Sequence, residues 1–144
     1  MLERYGNTEG ARRATTRAYA ASRNDIHQMT ATILEAARRA LVRGDLRASR
    51  DAVRHAIDSN VGADDLVYPA LWLHLLERRL RTPSDGTVEE AFAKVDDDAG
   101  WPARLRAWAT GRLNDEQLRA SARAHVEQAE ANFYTTMAAY VAND

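Results

Sequence analysis

The side chains able to carry chemistry are few and scattered. Four histidines occur in the 144 residues, His27, His55, His74 and His125, each on a different predicted helix. No two stand at the three- or four-residue spacing that gathers imidazoles around a metal ion. His74 and Glu77 lie three apart on one helix face, enough to orient an imidazole or to hold a transition metal with ligands from elsewhere. Asp96, Asp97 and Asp98 offer carboxylates without the alternating spacing and central glycine of a calcium loop, and read as a solvated turn. The chain has no Cys, which removes disulfides, thiolate nucleophiles and Cys-bound zinc and leaves the redox compartment undecided. Dinucleotide-binding and phosphate-binding glycine loops, a nucleophile elbow and a paired catalytic carboxylate context are missing from the sequence. Trp72 and Trp108 fall on apolar stripes and read as core, whereas Trp101, beside Pro102, is open to packing or to stacking on a ligand. No catalytic residue, metal or cofactor is expected, and the function is sought outside enzymology.

Composition sets the frame for what remains. Apolar residues make up 45% and charged residues 28%, with a net charge of -1, values of a soluble globular chain the size of one domain. No run approaches the roughly 20 apolar residues of a membrane helix, so no membrane insertion is expected. The first ten residues carry no signal-peptide pattern, which suits a cytoplasmic protein or one whose leader has been removed. Basic side chains are nearly all Arg, Lys94 being the one lysine. The whole lacks the basic excess of a nucleic-acid binder. Charge is nonetheless uneven: residues 1–60 hold 11 Arg against 7 acidic groups, and residues 61–144 hold 9 basic against 14 acidic ones. Solvated helix faces account for this, or else head-to-tail association or an acidic ligand on the first half.

The elements that must position any site are helices. Ala is the commonest residue, and Gly (7) and Pro (3) leave few places for tight turns, so an all-α fold is expected. Residues 1–10 read as a loose lead-in and 11–144 as a single helical domain. A run from Ala11 to Ser22 can be helical with only Tyr19 as a large apolar residue. Asp25 and Gln28 form a capping box for a helix from Ile26 to about Arg43, whose Ile26, Met29, Ile33, Ala36, Ala37, Ala40 and Leu41 make one stripe. Gly44-Asp45 stops it, and a helix from Leu46 to Asp58 returns with Leu46, Ser49, Val53, Ala56 and Ile57 inward, giving a hairpin over 26–60. A second hairpin over 64–98 runs from the apolar Leu66–Leu80 segment, through the Pro83–Gly86 loop, to a helix capped by Thr87 and Glu90 that buries Val88, Phe92 and Val95. Trp101-Pro102 opens a third unit over 101–123, in which Asn114 and Gln117 make another capping box. A last helix over 124–142 aligns Val126, Ala129, Phe133, Met137 and Tyr140.

The stretch ATILEAARRALVRGDLRASRDAVRHAIDSN resembles a tetratricopeptide (TPR) repeat, with Gly44 at the turn and small residues at the helix contacts. Trp72, Leu75, Leu76, Val88, Phe92 and Val95 fit the same frame if Pro83 replaces the turn glycine, as a degenerate repeat in which Arg79 stands where the family often has an aromatic. The segments ALWLHLLERRLRT, GWPARLRAWATGRLNDEQLRASA and EQAEANFYTTMAAYVAND resemble a bacterial branch that includes TPR lipoproteins, though the lipidated Cys is missing here. The resemblance covers roughly residues 26–144.

It implies a right-handed superhelix of antiparallel hairpins, a non-enzymatic scaffold or adaptor, and a protein or peptide partner in a concave groove. The family's groove positions fall on Leu34, Arg38, Leu41 and Val42 and on Leu73, Glu77, Leu80 and Arg81. Arg38 and Arg81 would hold a carboxylate and Leu34 and Leu73 anchor apolar groups, unless the N-terminal helix covers them. The alternative is a self-associating module or part of a larger assembly. Because the sequence stops where the pattern would turn into a second helix, Phe133, Met137, Tyr140 and Val141 are expected to meet another copy in a homo-oligomer, or a continuation of the chain.

Overall fold

The computed structural model describes residues 26–59 and 63–143, together with residues 10, 13, 14 and 17. The lead-in, most of the Ala11–Ser22 run, the Asp25 cap and the segment 60–62 lie outside the described residues, as do the side chains of Ile26, Met29 and Ile33. Residues 26–143, where described, form seven α-helices and no strand. The described residues fall into two compact units, divided between Val61 and Gly62.

The first unit contains the hairpin. Helices α1 (Ile26–Val42) and α2 (Leu46–Asp58) pack together across a three-residue turn. Gly44 takes φ +77°, the left-handed residue that ends a helix at low cost. Asp45 then caps α2, its carboxylate accepting the Ala48 N–H at 3.1 Å. Among the described side chains of the hairpin, those that are buried are small or β-branched: Ala37, Ala40, Ser49, Val53 and Ala56. Ser49 is close enough to α1 for its hydroxyl to donate to the Ala37 carbonyl at 2.9 Å. That bond satisfies a hydroxyl whose isolation inside the protein would cost about 1–3 kcal/mol.

The second unit is built around α3 (Val67–Leu80), which follows a 3₁₀ turn at Ala63–Leu66. Eight of its 14 residues are buried on several faces, the pattern of a helix enclosed by others rather than lying on a surface. Its neighbours are the 3₁₀ turn, α4 (Thr87–Ala93), α5 (Trp101–Ala109) and α7 (His125–Ala142), while α6 (Asp115–Ser121) packs on α5 and α7. Leu71, Leu73, Leu105 and Leu118 are fully buried, each worth roughly 1.5–3 kcal/mol. The buried Thr135 hydroxyl is matched: it donates to the Ala131 carbonyl at 2.8 Å and accepts from Arg119 at 2.8 Å. The Asn114–Gln117 capping box forms in both directions, at 2.8 and 2.9 Å.

One expected helix cap does not form. The helix after the Pro83 loop is not capped by Thr87 and Glu90: Gly86, at φ +89°, is its N-cap, and the Asp85 carboxylate accepts the Thr87 N–H. The helix ends at Ala93, before buried Val95 and the Asp96–Asp98 run, whose charges oppose its macrodipole. Arg106 from α5 reaches that end, donating to the Val95 carbonyl and pairing with Asp97. On α7 the aligned stripe, expected to meet another copy or a continuation of the chain, is not the inward one. Ala131, Tyr134, Thr135 and Val141 are buried, while Val126, Ala129, Phe133 and Tyr140 are exposed. Two apolar stripes lie side by side on this helix, and apolarity alone does not distinguish them.

Candidate functional site

On the first unit the expected groove residues are presented by α1. Leu34 and Leu41 are half-buried, Arg38 is exposed and Val42 is 76% exposed. Arg38 is held in place by its own helix: Nε and Nη2 donate to the two oxygens of Glu35, both at 2.8 Å, and Arg39 Nε adds a third bond at 2.8 Å. Hydrogen bonds from these two arginines pull the Glu35 carboxyl down to about 2. The i,i+3 and i,i+4 spacing that allows this is ordinary helix geometry.

On the second unit the expected positions separate. Leu73 is fully buried and Glu77 is 5% exposed, so neither is on offer to a partner in this conformation; α3 is enclosed where the repeat frame assumed one open face. Leu80 is half-buried and Arg81 exposed. Arg81 ends α3 in the left-handed region, φ 53° and ψ 35°, and the Thr82 N–H behind it donates to the Glu77 carbonyl at 2.9 Å.

Around this helix end lie two shallow clefts absent from the sequence reading. One, of about 300 Å³, is lined by His74, Leu75, Arg78, Trp108, Leu113 and Asp115 among others. The other, of about 230 Å³, is lined by His74, Glu77, Arg78, Arg81, Ser84 and Glu89 among others. His74 and Arg78, one turn apart on α3, belong to both. Burial, and then the neighbouring Arg78 charge, push the His74 imidazole below its usual value, with Glu89 opposing. Trp108 Nε1 donates to Asp115 at 2.7 Å, which fixes the indole in the wall of the larger cleft. Across the smaller one the Ser84 hydroxyl is directed onto Glu89, 2.9 and 3.0 Å from its oxygens. The smaller cleft thus gathers the His74 imidazole, two guanidinium groups and the carboxylates of Glu77 and Glu89, whereas the larger adds the apolar Leu75, Trp108 and Leu113. Helix spacing places His74 and Arg78 on one face, but no sequence signal announced that α5 and the α3–α4 loop would flank them.

No protein-family model, curated protein or solved structure matches this chain. Among the described residues no group of three or more His, Asp or Glu side chains could hold a metal ion. No helix among them is long and apolar enough to cross a membrane.

The residues expected at a self-association surface all lie on α7. Phe133 is 42% and Tyr140 58% exposed, Met137 is half-buried, and Val141 is buried. Val141 therefore belongs to the core rather than to that surface. Phe133 packs against Trp72 at a centroid distance of 5.8 Å, and the Arg79 guanidinium sits 4.9 Å from the Tyr140 ring centre.

Proposed function

We propose that the chain is a non-enzymatic, TPR-like helical scaffold that binds a peptide or protein partner. The observation that carries this reading is the Gly44 hairpin, where small buried residues bring two helices close enough for Ser49 to bond the backbone of α1. The proposal of a right-handed superhelix rests on this hairpin and on the α3–α4 pair. The return of α7 onto α3 departs from strict nearest-neighbour stacking of repeats. The partner-facing groups are Leu34, Arg38, Leu41 and Val42 on α1, with Arg78 and Arg81 at the clefts of the second unit; Leu73 and Glu77 are withdrawn from the set because they are buried.

The test is a paired substitution of Arg38→Ala with Arg81→Ala in the full chain. Exposed changes of this kind move stability by roughly 0.5 kcal/mol or less, so the fold persists while binding weakens. Equal retention of cross-linked or co-purified partners by wild type and variant removes this surface from consideration. A second reading, a self-associating structural module, is favoured by the exposure of Val126, Phe133 and Tyr140 on α7.

A further inference from the structure

We propose that the exposed stripe of α7 is a two-helix seam that pairs antiparallel with α7 of a second copy of this chain. This rests on the self-association reading and gives it a geometry. Val126, Phe133 and Tyr140 stand seven residues apart, with Ala129 and Thr136 between them, and all five are exposed. Seven-residue spacing with an intermediate position at three is the a/d pattern by which one helix packs along another. The stripe lies beside the buried Ala131, Tyr134, Thr135 and Val141, so the helix carries one apolar face for its own core and one left over. The leftover face is about 21 Å long at 1.5 Å per residue.

Size and charge select the occupant. The large seam residues Phe133 and Tyr140 alternate with the small ones, Ala129 and Thr136. Reversing a second copy so that residue numbers across the seam sum to 269 places Phe133 against Thr136 of the second copy and Tyr140 against Ala129 of the second copy. By the two-fold symmetry the same contacts are made twice, and each ring meets a small residue. Along one flank lie Asn132 and Ala139, uncharged in sequence. Along the other lie Glu130 and Met137, bordered by α3, whose Trp72 touches Phe133 and whose Arg79 lies over Tyr140. The antiparallel register brings Arg79, beside Tyr140, toward Glu130 of the second copy, beside Ala129, so opposite charges meet at both ends. A parallel pair in the same register would set Arg79 against its own counterpart. Glu130 is fixed for this role by the Trp101 Nε1–H, which donates to its Oε2 at 2.7 Å. A seam of this length buries on the order of 1,000 Å² in total, near the lower bound for specific interfaces, which makes the dimer concentration-dependent, with micromolar dissociation.

Sedimentation equilibrium of the full chain, over about a thousandfold range of concentration spanning the micromolar region, is expected to show a monomer–dimer equilibrium. Ala129→Lys, an exposed change to a good helix former, puts an ammonium against Tyr140 and beside Arg79 of the second copy; it is expected to raise the dissociation constant at least tenfold with an unchanged circular dichroism spectrum. The chain has no Cys, so single spin labels at Gln128→Cys and at Asn132→Cys report the direction of pairing. An antiparallel dimer gives a label-to-label distance about 10 Å longer at 128 than at 132, whereas equal distances overturn the antiparallel register. A dimer indifferent to Ala129→Lys overturns the seam and leaves self-association standing. A monomer at every concentration, including one whose seam is covered by residues 1–25 of its own chain, overturns both.

Discussion

Arg81 holds a left-handed backbone conformation that glycine adopts without strain, and among the described residues it is the one non-glycine with positive φ. For an L residue that conformation costs about 1–2 kcal/mol, part of which glycine gives back through its more flexible unfolded chain. Arg81→Gly is therefore expected to raise unfolding stability by about 0.5 kcal/mol in a denaturant titration while weakening partner binding, two effects of opposite direction at one position. His74 supplies a pH test. Its folded-state pKa is lowered from 6.5 by burial and by Arg78, so below about 6.5 the unfolded chain binds the proton more readily and stability falls with falling pH. His74→Gln should flatten the part of that slope that begins near pH 6.5, measured as the change in denaturation midpoint between pH 7.5 and pH 5.5. The sequence placed Arg38 and Arg81 correctly as exposed residues because helix ends and charged positions are locally encoded. It misplaced Leu73 and Glu77 because enclosure of α3 depends on where α5 and α7 come to rest, which no local pattern records.

Helix ends show the same division. The Asn114–Gln117 box was legible because both of its bonds lie within four residues, and Asn114→Ala is expected to cost about 1 kcal/mol, read from the thermal midpoint. At α4 an equally good pattern, Thr87 with Glu90, was overridden. The preceding Ser84-Asp85-Gly86 segment supplies its own bonds, Ser84 to Glu89 and Asp85 to the Thr87 N–H, and starts the helix with Gly86 as its cap. For α7 the sequence located the helix but not its inward side, since Val126, Phe133 and Tyr140 are as apolar as the residues that α3 covers. Of the clefts, neither His74 with Arg78 nor the Trp108–Asp115 bond stood out in advance, because their relation depends on three helices meeting.

Across the molecule the all-helical class was legible from composition, and the Gly44 hairpin from its turn, yet the second unit closes in a way that a row of hairpins does not prepare for. That closure bears on the order of events in time. The α1–α2 contact joins residues a dozen positions apart in sequence, as with Ala37 and Ser49, and so forms among the fastest events available to a chain. The contact of α3 with α7 spans far more chain: Arg79 and Tyr140 are 61 residues apart. A chain emerging from the ribosome at about 5–20 residues per second therefore completes its first hairpin seconds before α7 exists to cover α3. During that interval α3, eight of whose 14 residues end up buried, is without its lid, which makes the newborn chain, rather than the finished one, the form most in need of a chaperone.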